Sequence, residues 1–317
     1  MTFARILLLC LILVGCGHRR ATVPDWVRSA PPGAATAISC RADWALEQPR
    51  LQGLLAGAPL AGGAMAVLLQ RAGLETRHET GRITLFLNGP ASGPAGTSAA
   101  RPDQNFLIQL GRFRDPGRLQ VAVANAFPAE GSLTLEQRDY PLFVILDLPP
   151  SHVRAMADGD GRVWLGDVAA LGGLETAAGH CRPALAASSR WLTGTAAVQG
   201  FILPPEVRED TSGRLPGDLA RDLPRGIEAL CWSLNPGSGP NATCGFELCL
   251  AGSPEAIQRA ASWLDRFVAA TMARPGTAPE TPEILQERRR IGLRCQLSQE
   301  QVDLVLAKLD QPPIRFQ

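Results

Sequence analysis

The side chains able to do chemistry in this 317-residue chain are mostly thiols. Cys10, Cys16, Cys40, Cys181, Cys231, Cys244, Cys249 and Cys295 stand against four histidines, His18, His78, His152 and His180. No two histidines share a helix face at ligand spacing, and no His-Glu-x-x-His run occurs. His180 and Cys181 are adjacent, so in a strand they point to opposite sides. The expectation is no metal centre and no cofactor. Asp158-Gly159-Asp160-Gly161 opens like a calcium loop, but Arg162 stands where a ligand is needed, so it reads as a hairpin turn. There is no Gly-x-Ser-x-Gly elbow, and Ser92 lies in a Gly/Pro-rich loop, as an ordinary turn serine does. Lys308 is the single lysine, which rules out a P-loop lysine or a Ser-x-x-Lys pair. No catalytic residue is expected.

One thiol has a definite chemistry. Arg5 precedes an apolar run, Ile6 to Val14, that ends in Leu13-Val14-Gly15-Cys16. A membrane span needs roughly 20 apolar residues, so this run is a signal segment and not an anchor. Its end resembles the lipobox of bacterial lipoproteins. The resemblance implies cleavage after Gly15 and a thioether from Cys16 to diacylglycerol. Two or three acyl chains, at about 0.8 kcal/mol per buried methylene, anchor a protein stably. Gly17, where aspartate is absent, implies sorting to the outer membrane if the host is Gram-negative. Residues from Gly17 to Ala35, with Pro24, Pro31, Pro32 and Gly33, read as a tether.

Composition agrees with that address. Hydrophobic residues make up 45% and charged residues 19%, enough for a sizeable core. A net charge of +1 gives no electrostatic basis for nucleic-acid binding. Cys10 leaves with the signal and Cys16 takes lipid. The remaining six cysteines, an even number in an oxidising compartment, predict disulfides. The favoured pattern joins Cys40 to Cys181 and pairs Cys231, Cys244, Cys249 and Cys295 among themselves. Free buried thiols are the competing reading. Cys244 and Cys249 are five residues apart, hence on opposite faces of a regular strand, and do not bond to each other.

The elements that must position these groups follow from periodicity. In the first half, strands are predicted over residues 36–40, 82–88, 105–113, 132–140, 142–148, 153–157 and 162–166. Helical spacing follows Asp115-Pro116. In the second half the strands are 196–203, 226–234, 243–251 and 291–297. Helices start at Ser253-Pro254 and at Ser298, where Gln301 completes a capping box. Arg208-Glu209-Asp210 reads as a solvated loop. Glu287-Arg288-Arg289-Arg290 reads as an exposed stretch before a strand, with contact to anionic lipid or a partner as its functional alternative. Trp44, Trp164, Trp191, Trp232 and Trp263 are core anchors or the lining of a ligand cavity.

A strand, a capping Ser or Asp, then an amphipathic helix recurs. The expected fold is α+β: mostly antiparallel sheets with helices on one face, in two degenerate repeats, 36–181 and 182–317, after a 1–15 signal and a 16–35 tether. The stretches Asn105–Phe127, Tyr140–Leu148 and Arg162–Asp167 resemble uncharacterised duplicated α+β proteins of the bacterial envelope. That resemblance implies a fold and no activity. The expected role is a non-catalytic, membrane-anchored lipoprotein that binds another envelope protein or assists assembly. A carrier or sensor of a small apolar ligand or lipid is the alternative, and an envelope hydrolase ranks third.

Overall fold

The computed structural model describes residues 22–31, 33–41, 81–88, 106–110, 133–136, 143–148, 153–157, 162–166, 182–192, 194–209, 218–237, 243–272 and 282–308. They form one antiparallel sheet of twelve strands. In chain order the strands are β1 (Ala34–Arg41), β2 (Arg82–Asn88), β3 (Phe106–Leu110), β4 (Leu133–Glu136), β5 (Phe143–Leu148), β6 (Val153–Ala157) and β7 (Val163–Gly166). They continue with β8 (Val198–Ile202), β9 (Ile227–Pro236), β10 (Cys244–Gly252), β11 (Glu283–Glu287) and β12 (Arg290–Leu297). The helices are α1 (Asp25–Arg28), α2 (Pro183–Ser189), α3 (Pro204–Glu209), α4 (Asp218–Asp222), α5 (Pro254–Met272) and α6 (Gln299–Lys308). The spatial order is β11-β12-β10-β9-β8-β1-β2-β3-β7-β6-β5-β4. The two halves of the chain therefore share a continuous sheet, joined where β1 pairs with β8.

Alternation along the central strands makes two faces. One carries Phe86, Phe201, Cys231 and Cys249; the other carries Val198, Trp232, Leu234, Phe246, Leu248 and Leu293. Helices cover both faces, not one as the sequence suggested. On the first face Trp26 of α1 stacks on Phe201 with ring centroids 5.8 Å apart. Beside it Ser188 of α2 sits 3.1 Å from the Cys231 sulfur. On the second face Phe267 of α5 stacks on Phe246 at 6.5 Å. The physical reason is that both faces of the central strands are apolar, and each must be shielded from water.

Helix α5 shows the local logic. Ser253 is its N-cap, its hydroxyl accepting from the Ala256 amide at 3.2 Å, and Pro254 supplies a preset φ at the first helical position. Ile257, Ala260, Trp263, Leu264 and Phe267 form one buried stripe. Each large member contributes about 1.5–3 kcal/mol on burial. The expected capping box at α6 is present: the Ser298 amide donates to Gln301 Oε1 at 2.8 Å, and the Gln301 amide donates to Ser298 Oγ at 3.4 Å.

Two local readings are corrected, and a third, the exposed stretch before a strand at residues 287–290, is extended. The stretch read as a tether is folded from Val23 onward, because Val23, Trp26, Val27, Ala34 and Ala35 are buried. Prolines 24 and 31 set the turns that dock α1 instead of keeping the segment loose. Arg208, read in a solvated loop, lies in the last turn of helix α3, where Arg208 Nη2 donates to the Leu223 carbonyl at 2.6 Å. Partial burial and the nearby Arg225 lower its pKa from the usual guanidinium value. Residues 287–290 are the tip of a β11–β12 hairpin, with β11 a strand that the sequence reading left out.

Candidate functional site

Two features distinguish the described structure: a polar row inside the sheet and an exposed edge. The row is built from one residue per strand at directly opposed positions. Arg294 faces Glu247, Glu247 faces Ser233, and Ser233 faces Gln199. Gln199 then faces Ser39, Ser39 faces Thr84, and Thr84 faces Gln109. All of these except Glu247 and Arg294 are buried.

Burial of so many polar groups requires partners. Arg294 Nε donates to Glu247 Oε1 at 3.0 Å, and Ser233 Oγ donates to Glu247 Oε2 at 2.9 Å. Trp26 Nε1 donates to Gln199 Oε1 at 2.9 Å, which ties α1 to the sheet. Ser39 and Thr84 hydroxyls lie 2.8 Å apart, and Arg82 Nε donates to Ser39 Oγ at 3.0 Å. Gln109 Nε2 donates to Ser29 Oγ at 2.8 Å. The row fixes strand register, since a slip of one residue would drive these groups onto the apolar second face. In β3, β8 and β10 the polar residue is a lone interruption of an apolar run, whereas β1, β2, β9 and β12 carry other polar residues too. The sequence therefore shows single polar positions, and only the strand register aligns them into a row.

The row surfaces at Arg294, whose guanidinium lies 4.2 Å from the Trp191 ring centre and donates to the Trp191 carbonyl at 3.1 Å. Trp191 lies flat on Gly292, where a Cβ would come within 2.5 Å of the indole. Beyond Gly292 is β11, the last strand of the sheet among the described residues, and every residue in it is exposed. Ile284 at 43% and Leu285 at 41% exposure are two of the three exposed large apolar side chains described, Leu304 being the third.

Hydrogen-bond parity identifies the free backbone groups of this edge. The Gly252 amide donates to the Arg289 carbonyl, so in the β10–β12 register the odd-numbered β12 residues face β10. The even-numbered ones, Arg290, Gly292 and Arg294, therefore face β11 and bond to Glu287, Leu285 and Glu283. Ile284 and Gln286 consequently direct their N–H and C=O groups away from the sheet. Arg290 Nε donates to Glu287 Oε2 at 3.0 Å, holding the tip of the hairpin.

Of the residues singled out from sequence, Gly15, Cys16, Cys181 and all four histidines lie outside the described residues, as do Trp44 and the 158–161 turn. The strands flanking that turn, β6 and β7, do pair antiparallel. Cys40, Cys231, Cys244, Cys249 and Cys295 form no disulfide with one another in this structure, and Cys181, the expected partner of Cys40, lies outside the described residues. Burial pushes the Cys40, Cys244 and Cys249 thiols up to about 12. Cys244 and Cys249 do occupy opposite faces of β10. Among the described residues no three His, Cys, Asp or Glu side chains gather as metal ligands, and no helix is long and apolar enough to cross a membrane. The described tryptophans pack against neighbours: Trp164 on Phe86 at 6.0 Å, Trp263 on Phe267 at 5.2 Å, and Trp232 on Gly200. Comparison with protein-family models, with curated proteins and with solved structures finds no match.

Proposed function

We propose that this chain is a non-catalytic bacterial lipoprotein, anchored through Cys16 and facing the periplasm, whose α+β body binds an envelope protein by strand addition at β11. The observation that carries the reading is the edge itself: five exposed residues, two outward-facing backbone residues and an apolar centre. An extended segment laid there would form main-chain bonds with Ile284 and Gln286 and cover Ile284 and Leu285. The polar row supports a scaffold role, because its hydroxyls are engaged in cross-strand bonds inside the sheet.

Charge selects the occupant. A second copy pairing antiparallel about Leu285 would set Glu283 directly opposite its partner's Glu287, and like charges so placed destabilise a sheet. A segment with basic residues at those two positions and an apolar one between them complements the edge. The occupant is therefore a different polypeptide with that alternation. The two halves also read as degenerate repeats. In each, three consecutive strands lie side by side and the last strand returns to the third, β7 to β3 and β12 to β10.

The reading is tested with fluorescein-labelled extended peptides, basic–x–apolar–x–basic against the same peptide with acidic ends. Fluorescence anisotropy should show saturable binding of the basic form alone. Ile284→Pro removes an outward N–H without touching a bond to β12, and should abolish that binding while the fold persists. Equal binding of both peptides, or binding unchanged by Ile284→Pro, would refute strand addition at this edge.

A further inference from the structure

We propose that Cys231 and Cys249 are joined by a cross-strand disulfide when the chain folds in an oxidising compartment. The two residues are direct partners in the β9–β10 register and lie on the same face of the sheet. The Gly237 amide donates to the Thr243 carbonyl, which makes 237/243 a hydrogen-bonded pair. Counting by twos along the register, 231/249 belongs to the same class. Opposed Cα atoms of that class are about 5.5 Å apart, inside the roughly 4.4–6.8 Å that a disulfide spans. Pro236, which has no N–H, falls in the other class, as this parity requires.

No other two described cysteines are directly opposed in the sheet. Cys40 faces Ile83 and Val198. Cys244 and Cys295 share a face but are diagonal, since Cys244 faces Leu297 and Cys295 faces Phe246. Diagonal neighbours are about 7–8 Å apart, beyond disulfide reach. Geometry thus selects one described pair from a set that the sequence left open.

Timing follows from burial. Both thiols are closed off in the fold, Cys231 by Ser188 of α2 at 3.1 Å, and the Cys249 thiol is pushed up to about 12. Oxidation belongs to the open β9–β10 hairpin, before α2 docks. The co-reactant is an external disulfide, either a small one or that of a dithiol oxidase. A thiolate of one cysteine attacks it, forming a mixed disulfide and releasing one reduced thiol. The second cysteine thiolate then attacks the chain-side sulfur of the mixed disulfide. One S–S bond forms in the chain, the external S–S bond is broken, and two electrons and two protons end on the two released thiols.

The biological setting rests on the periplasmic reading, so the test separates the two. The full mature chain is unfolded with reductant, refolded with oxidised glutathione, alkylated and cleaved without reduction. Chymotrypsin cutting after Trp232 and Phe246 puts Cys231, Cys244 and Cys249 in different peptides. The expected product is a linked pair containing Cys231 and Cys249, two hydrogens lighter than the reduced peptides. Wild-type protein should then lose melting temperature on reduction, and the Cys231→Ala/Cys249→Ala double variant should not. Alkylation of both residues in protein that has regained its native circular dichroism would overturn the pairing. The same digest of chain taken from its own envelope probes the address: a bridge formed in vitro but absent there contradicts the periplasmic reading and leaves the pairing intact.

Discussion

Gly200→Ala is a sharp test of how the sheet core is packed. A Cβ at residue 200 would lie 2.5 Å from Trp232 Cε2 and Cζ2 and 2.6 Å from Nε1. Carbon pairs settle near 3.5–4.0 Å, so the indole must retreat by about 1 Å or more. Trp232 is fully buried between Val198, Leu234 and Leu248 neighbours in the sheet, with no route to solvent. Overpacking of this kind costs about 1–3 kcal/mol, and the closed surroundings place Gly200→Ala at the upper end. Gly292→Ala meets Trp191 at the same 2.5 Å, but Trp191 is only half-buried and can swing outward, so about 1 kcal/mol is expected. Gly194→Ala meets nothing within 4 Å and should change stability by less than about 0.5 kcal/mol. Urea unfolding with a constant slope reads all three. Trp232→Phe in the Gly200→Ala background should recover part of the loss, since Phe is smaller and lacks the indole N–H, which has no partner here. A Gly200→Ala protein as stable as the parent, or no coupling to Trp232→Phe, would refute the close approach.

Glu247→Ala strips the acceptor from a buried Ser233 hydroxyl, at a cost of about 1–3 kcal/mol. The half-exposed Arg294 pairing adds at most about 1 kcal/mol more. A melting-temperature change below about 2 °C would show that the row is not held as described. Reduced protein should lose stability at alkaline pH. Unfolded thiols ionise near 9.0, whereas Cys40, Cys244 and Cys249 in the fold hold their protons to about 12. The unfolded chain thus binds fewer protons above pH 9, and stability falls from there toward pH 12, by up to about 1.4 kcal/mol per thiol per pH unit. With one tyrosine and one lysine in the chain, few other groups compete in that range. Urea midpoints at pH 8 and pH 10, with and without Cys40→Ala, measure it, and a flat profile would contradict it.

Much of the fold was legible where local signals are strong. β2 and β6 match their predicted bounds, and the β9–β10 hairpin and the Ser298 capping box were read directly from alternation and cap chemistry. What escaped depends on distant neighbours. β11 alternates too weakly to announce itself, and it exists because β12 offers it Arg290, Gly292 and Arg294. The segment around Trp26 looked like a tether because its prolines outweighed a buried tryptophan whose partners, Phe201 and Gln199, lie far along the chain. The polar row could be seen only after seven strands were set in register. Duplication left open whether the halves are separate or share one sheet, and the sheet runs through both because β1 and β8 bond edge to edge.

The central claim is that β11 binds a second polypeptide while Cys16 holds the chain at the membrane. Native mass spectrometry of the full-length protein, extracted gently from its own membrane, tests it with three chains: wild type, Ile284→Pro, and Leu304→Ala as an exposed control on helix α6. The account predicts a lipid-modified Cys16 chain bound to a different polypeptide in the wild type and in Leu304→Ala, and the same lipidated chain alone in Ile284→Pro. An unlipidated Cys16, a bare monomer in the wild type, or a complex that survives Ile284→Pro would contradict it.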